Sequence, residues 1–119
     1  GLDLVAIREV VGESSTELGR AALGSLLAER VPMDAVFCSN DDYAVGALFH
    51  CMAHGIDVPG QLAIMGYNGL DIGRAAPLPL ATVLTPRVEV GEIAAQKVFS
   101  SEPSQRLEVS FTIVPGATA

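Results

Sequence analysis

The sequence predicts an α/β fold in which helices flank a parallel sheet. Two short apolar runs, 34–38 and 62–67, are typical of buried parallel strands, because they lack the polar–apolar alternation of a half-exposed strand. The apolar stretch 42–54 between them has the length of a helix. A strand–helix–strand unit of this size crosses over right-handed and leaves its two strands parallel. Half of the 119 residues are hydrophobic, which is enough for the core of one small domain.

The part of the chain before this unit predicts a strand followed by a helix. Leu2–Val11 contains an apolar centre and is the first strand candidate. Ser14 is followed three residues later by Glu17, which matches a capping box at the start of a helix. We expect this helix to continue to about Glu29. Its buried stripe is predicted to consist of Leu18, Ala22 and Leu26, with Ala21 beside it.

The helix between the two apolar runs has clear capping signals and an unusual distribution of apolar residues. Asn40 or Asp41 can cap its start with a side-chain oxygen, and Gly55 suits the left-handed residue that ends it. The helix is apolar on nearly all sides, so something besides the sheet must cover its outer face. A partner subunit is one candidate, and another helix of the same chain is the alternative. The residues predicted to contact a partner are Val45, Phe49 and Met52.

Beyond the two apolar runs, the chain predicts a mixture of short elements. Residues 69–74 predict a loop or a single helical turn, and Ala81–Thr85 predicts an extended segment. Val88–Phe99 is predicted as a helix with one apolar face. Leu107–Val114 alternates between apolar and polar residues, which predicts a half-buried strand at a sheet edge. Its inward-facing residues are predicted to be Leu107, Val109, Phe111 and Ile113.

Charge, cysteines and histidines argue against several classes of function. The net charge of −7 comes without a basic stripe, so this stretch is not expected to bind DNA itself. No apolar run reaches the roughly 18–20 residues of a membrane span, and we expect no membrane contact. Cys38 and Cys51 are predicted to be small buried thiols, which suits a reducing cytoplasm. His50 and His54 have the spacing of a metal pair, but no third ligand lies nearby in sequence, so we expect no metal site.

Four blocks of the chain stand in a recognisable order and spacing. They are Cys-Ser-Asn-Asp-Asp-Tyr-Ala-Val-Gly-Ala-Leu at 38–48, Gly-Ile-Asp-Val-Pro at 55–59, Leu-Ala-Ile-Met-Gly-Tyr-Asn at 62–68 and Pro-Leu-Ala-Thr-Val at 79–83. Together they resemble the effector-binding domain of LacI/GalR-type transcriptional regulators, and the resemblance covers nearly the whole chain. The stretch 68–73 leans toward the gluconate-repressor branch of that family.

This resemblance implies a fragment of a two-lobed, periplasmic-binding-protein-like domain. Residues 1–80 would be its C-terminal lobe, 81–106 the hinge crossing with a helix of the N-terminal lobe, and 107–119 a terminal strand. The whole protein would be a cytoplasmic repressor that binds DNA through an N-terminal helix-turn-helix outside this chain. It would form a homodimer, and the helix at 88–99, without its native sheet, is a candidate for exchange between two chains.

The resemblance, together with the predicted sheet, places a sugar or sugar acid effector beyond the carboxyl ends of the strands. The candidate ligand-binding residues are Asn40 and Asn68, whose amides both donate and accept, with Asp41 and Ser14, which also follow strand ends. Each has a structural alternative, which is helix capping for all but Asn68 and a turn for Asn68. Many family members carry an aspartate where this chain has Asn68. The amide removes a negative charge, which favours a gluconate-like effector with its own carboxylate over a neutral sugar. No cofactor is expected.

Other classes of protein fit the sequence less well. It contains neither a Gly-x-Ser-x-Gly elbow nor a phosphate loop, and the adjacent Asp41 and Asp42 would point apart at a helix start, so no enzyme is expected. A periplasmic sugar-binding protein is the alternative function, although the apolar helix at 42–54 argues against a monomeric receptor. A flavodoxin-like signalling domain needs an acidic or phosphate pocket that Asn40 and Asn68 do not supply.

Overall fold

The computed structural model describes residues 3–100 and 106–119. Leu2, at the start of the predicted first strand, and residues 101–105 of the predicted 81–106 segment lie outside the described residues. Among the described residues, no helix is both long and apolar enough to cross a membrane. The elements in chain order are α1 Thr16–Ala28, β1 Ala35–Phe37, α2 Asp41–His54, β2 Ala63–Asn68, α3 Asp71–Ala75, β3 Ala81–Leu84, α4 Arg87–Val98 and β4 Thr112–Val114.

The strands form a four-stranded sheet in the order β1-β2-β3-β4. β1, β2 and β3 run parallel, and β4 is antiparallel to β3 at the edge. The predicted strand–helix–strand unit is confirmed, because β1 and β2 pair in parallel from Ala35 with Ala63 to Phe37 with Met65. The predicted α/β class, with a largely parallel sheet and flanking helices, is confirmed with it.

α2 lies against the sheet and supplies the centre of the core. Its inner face is buried against Ile64 of β2 and Leu80, the residue before β3. Asn40 caps its start, where the side-chain Oδ1 accepts from the backbone N–H of Asp42 at 2.7 Å. Gly55 ends it in the left-handed conformation with a φ of 68°. The predicted start and end of this helix are therefore confirmed.

α1 packs across α2 at two glycines. A Cβ atom on Gly19 would lie 2.2 Å from the carbonyl oxygen of Tyr43, and one on Gly46 would lie 2.0 Å from the carbonyl oxygen of Thr16. These distances leave no room for any side chain, so the two helix backbones touch directly. The crossing brings the first turn of α1 close to the start of α2, which matters for the site described below.

The outer face of α2 is only partly open as a result of this crossing. α1 of the same chain covers much of it, as in the second of the two alternatives for this surface. Of the three residues predicted to contact a partner, Val45 is fully buried within the chain itself and offers no side-chain surface to a second subunit. Phe49 and Met52 remain 41% and 50% exposed.

The predicted first strand is wrong for the described residues, because 3–11 has no regular secondary structure. A groove of about 740 Å³ is lined by this segment, by α1 and by β1. A strand forms only where a neighbouring strand supplies its backbone hydrogen bonds, so an apolar pattern alone is not enough to make this segment a strand. Leu4 and Ile7 stay 79% and 73% exposed.

The start and the buried face of α1 differ from the prediction. Ser15, rather than Ser14, is the cap, and its hydroxyl oxygen accepts from the backbone N–H of Leu18 at 3.2 Å. The capping box with Glu17 is therefore wrong by one position. The close contact with α2 turns Gly19, Leu23 and Leu26 inward, so Leu18 and Ala22 are only half-buried and Ala21 is exposed.

The predicted elements after β2 are present at their predicted positions, but the predicted inner face of the last strand is wrong. α3 is the predicted helical turn, and β3 occupies the predicted extended segment. α4 forms as predicted, but none of its residues is buried. β4 lies at the predicted sheet edge but is shorter, and its predicted inner face is wrong: Ile113 is 60% exposed, while Val114 is half-buried.

Candidate functional site

The polar ends of β1 and β2 meet at one edge of the sheet. Phe37 pairs with Met65, so Asn40 and Asn68 each lie three residues beyond the same pair. The backbone N–H of Leu70, just after Asn68, donates to the Asp41 carboxylate at 2.6 Å, which ties the two strand ends together. Both asparagines are half-buried, neither sealed in the core nor fully in solvent. The register therefore places both residues at the same edge of the sheet.

The side chain of Asn40 caps α2 with its oxygen and leaves its amide nitrogen for other contacts. Its Oδ1 is occupied by the helix cap, with the backbone N–H of Asp42 at 2.7 Å. Its amide nitrogen donates to no other described residue. Since an amide has two N–H donors, Asn40 can cap α2 and still donate to a ligand at the strand ends.

Asn68 has an unusual backbone conformation at the end of β2. Its φ is 102°, a region that residues other than glycine rarely adopt, and Gly69 follows with a φ of 69°. Its side chain makes no hydrogen bond to another described residue, so both its donor and acceptor groups are available. Strained backbone of this kind persists only where the surrounding structure holds it, and it concentrates at binding sites.

Asp41 is placed differently from the prediction that it binds a ligand. Its side chain is 0% exposed, and both carboxylate oxygens are occupied. Oδ2 accepts from the Leu70 N–H at 2.6 Å, and Oδ1 accepts from the Thr82 hydroxyl of β3 at 2.6 Å. As the first helical residue after the cap, it points inward to the sheet, so a ligand at the rim cannot reach it.

Ser14 joins the same rim from α1. It is exposed, and its hydroxyl donates to the Asp42 carboxylate at 3.3 Å. The close helix crossing at Gly46 brings these two residues together. Ser14 therefore lies beside the start of α2, although the strand predicted to precede it is not formed among the described residues, and its hydroxyl proton is shared with a carboxylate.

Three residues near the rim escaped prediction from the sequence. Phe37 and Tyr67 form an edge-to-face ring pair with centroids 6.5 Å apart, on the sheet face opposite α2. Phe37 is 60% exposed and Tyr67 38%, so the pair offers apolar surface next to the polar tips. Thr85, just after β3, has a buried hydroxyl without a hydrogen-bond partner among the described residues. Their signal was their position, at a strand end or one residue from it, rather than any motif.

Cys38 directly follows β1, and His50 and His54 lie on α2. Burial, followed by the charge of Asp41, raises the pKa of the Cys38 thiol to about 11, so this thiol is a poor nucleophile at neutral pH. Among the described residues, no group of three His, Cys, Asp or Glu side chains could hold a metal ion. His50 and His54 stack their rings at a centroid distance of 4.1 Å instead of converging on one point.

Comparison with known proteins places this geometry in a family. A model of the periplasmic binding protein-like domain matches residues 1–118. The HTH-type transcriptional regulator GntR of Escherichia coli K12 is 39% identical over 110 residues, which are 88% of this chain and 33% of that protein. The HTH-type transcriptional regulator IdnR of the same organism is 44% identical over 87 residues, 73% of this chain and 26% of that protein. The chain thus spans about a third or less of these relatives.

Two solved structures of transcriptional regulators have the same fold over most of this chain. The transcription regulator GntR from Chromobacterium violaceum superposes with a TM-score of 0.79 and 40% sequence identity, over 89% of this chain and 41% of that chain. A LacI family transcriptional regulator from Lactobacillus casei with bound glucose superposes with a TM-score of 0.74 and 28% identity, over 88% of this chain and 40% of that chain.

Proposed function

Because this chain belongs to the periplasmic binding protein-like domains of the LacI family of transcriptional regulators, we propose that it is the C-terminal lobe of a repressor's effector-binding domain. The effector is a sugar or sugar acid that lies beyond the carboxyl ends of β1 and β2. The observation that supports this most directly is the pair Asn40 and Asn68, which share one rim and have amide groups free for a ligand. Effectors of this type need a few oriented donors and acceptors beside apolar surface, which Phe37 and Tyr67 provide.

A sugar acid fits this rim better than a neutral sugar. The carboxylate directly after Asn40, that of Asp41, is turned into the core and occupied by two donors, whereas the carboxylate of Asp42 accepts from the Ser14 hydroxyl. The rim therefore presents amide donors at position 68, where an ionised aspartate would repel a negatively charged ligand. A gluconate-like effector can place its carboxylate there without a like charge. The Lactobacillus casei relative, by contrast, was solved with glucose, a neutral sugar.

Regulation follows from the position of the lobe in a larger protein. An effector that bridges two lobes favours one hinge angle and shifts the population of the whole dimer. Helix-turn-helix headpieces outside this chain respond, because DNA half-sites at a given spacing tolerate little movement. Phe49 and Met52 on the open part of α2, with the uncovered α4, are the surfaces proposed for the homodimer, with exchange of α4 between chains as one form of it.

Calorimetry on the full-length regulator tests the effector class. The wild-type protein should bind D-gluconate and not D-glucose. The variant Asn68→Asp adds one negative charge at the rim and should weaken D-gluconate binding about tenfold, the equivalent of about 1.4 kcal/mol. Asp71→Asn is the matched control, since it changes an exposed charge three residues away and should leave the affinity unchanged. Binding of D-glucose or D-ribose with D-gluconate inert would contradict the sugar acid and return the periplasmic-type sugar site to consideration.

A further inference from the structure

Asp41 joins three elements at the point where the effector is proposed to bind. It is the first residue of α2, is 0% exposed, and holds the Leu70 N–H and the Thr82 hydroxyl at 2.6 Å each. These partners are 29 and 41 residues away in the chain. Hydrogen bonds to an ionised acceptor are roughly twice as strong as neutral ones. A buried carboxylate with both oxygens occupied is therefore a rigid joint between α2, the turn after β2, and β3.

The hydrogen bond from the Leu70 N–H is the first arm of this joint, and it restrains the backbone next to Asn68. Leu70 lies two residues after Asn68, and the turn between them runs through φ values of 102° and 69°. Such a conformation is unfavourable for Asn68 unless other contacts hold it. The hydrogen bond from the Leu70 N–H to Asp41 fixes the far end of the turn, and with it the direction of the Asn68 amide.

The hydrogen bond from the Thr82 hydroxyl is the second arm of the joint, and it restrains β3. Thr82 is 3% exposed, and two residues later Leu84 pairs with Asn68. Gly69 packs so closely on Leu84 that a Cβ there would lie 2.4 Å from the leucine side chain. The turn and β3 thus share Asp41 at one end and the Gly69–Leu84 contact at the other, and β3 leads directly to Pro86 and α4.

We propose that Asp41 is a positioning residue that orients Asn68 for the effector and couples the Asn68–Leu70 turn to β3, the strand that leads out of the lobe. The inference rests on the proposed function for its ligand, but the joint itself can be tested without one. A carboxylate is required because two donors converge on it from opposite sides. Asparagine in its place offers one acceptor and one donor.

Amide hydrogen exchange followed by NMR on this chain tests the first arm. In Asp41→Asn, exchange at Leu70 and Gly69 should accelerate about tenfold relative to the strand amide of Gly66, since a factor of ten corresponds to about 1.4 kcal/mol. Asp71→Asn, at the exposed start of α3 directly after this turn, should leave these amides unchanged. If Asp41→Asn accelerates all core amides equally, Asp41 serves general stability and the proposal is overturned.

The second arm is tested by the pair Thr82→Val and Thr82→Ser, of which only the serine keeps the hydroxyl. In the full-length regulator, D-gluconate should shift the amide resonances of both Asn68 and Leu84 in the wild type and in Thr82→Ser. In Thr82→Val the Asn68 shift should remain, and the Leu84 shift should shrink to the part carried by its direct pairing with Asn68. A Leu84 shift of equal size in Thr82→Val and Thr82→Ser would overturn the coupling. A wild type without any shift at Asn68 would refute the proposed effector, while the exchange result would still decide the role of Asp41.

Discussion

The close crossing of α1 and α2 makes a strong prediction for Gly46→Ala. The new Cβ would lie 2.0 Å from the Thr16 carbonyl oxygen and 2.8 Å from the Arg20 backbone nitrogen, whereas ordinary contacts begin at 3.4 Å. Both obstacles are backbone atoms inside α1, so no side chain can rotate away. The helices must separate by more than an ångström, which opens the interface around Leu23. Overpacking of this kind costs about 1–3 kcal/mol, occasionally more.

An opposing effect must be counted in the same variant. Alanine is a better helix former than glycine by about 1 kcal/mol. Since the clash involves two rigid backbones, we expect its cost to lie in the upper part of that range and to outweigh the gain, with a net loss of about 1–2 kcal/mol. For a domain of about this size that corresponds to a melting temperature roughly 4–16 °C lower. The measurement is urea unfolding followed by circular dichroism, analysed as a two-state transition.

Gly91→Ala is the matched control. Gly91 lies in the middle of α4, and a Cβ there would meet nothing within 4 Å. Only the helix-propensity gain applies, so this variant should be more stable by up to about 1 kcal/mol. Gly24 is an intermediate case, because its Cβ would meet only the His50 ring, at 2.8 Å, which can move. If Gly46→Ala and Gly91→Ala both stabilise the chain, the two helices are not in backbone contact and the reasoning fails.

Three further predictions concern charge, thiols and the exposed face of α2. Burial, His54 and Arg20 lower the pKa of His50 below 6.5, so the unfolded chain binds more protons than the folded chain at mildly acidic pH. The free energy of unfolding should therefore fall as the pH drops below about 6.5. His50→Gln should flatten this loss, measured by urea unfolding at several pH values between about 5 and 7.5. With its pKa raised to about 11 by burial and then by Asp41, Cys38 should react slowly with a thiol reagent at about pH 8 until urea unfolds the chain. Light scattering should find a dimer, and Phe49→Arg should give a 12.4 kDa monomer, whereas a wild-type monomer would contradict the interface.

Elements with local signals were predictable from the sequence, and elements that depend on a distant neighbour were not. The start of α2 at Asn40 and its end at Gly55 follow from a side-chain cap and a left-handed glycine, both of which act within one turn. Leu2–Val11 has the apolar pattern of a strand, but its described residues form no strand. A strand needs a neighbouring strand, and its own sequence does not encode that neighbour. The inner face of α1 likewise depends on Gly19 meeting Tyr43, a contact between helices.

The candidate site shows the same division within two adjacent residues. Asn40 and Asp41 are both short and polar, and capping alone does not tell which of them faces a ligand. Successive helical residues differ in direction by about 100°, so one of them must turn toward the sheet. Gly66, two residues before Asn68, decides which: a Cβ there would lie 2.2 Å from Asp41 Oδ1, so the space that glycine leaves open is the space the carboxylate fills. A glycine facing the helix start is thus a sequence signal for a buried aspartate at the first helical position. Two hydrogen bonds hold the charge of Asp41 inside the core, and the amides of Asn40 and Asn68 remain as neutral groups for an incoming carboxylate.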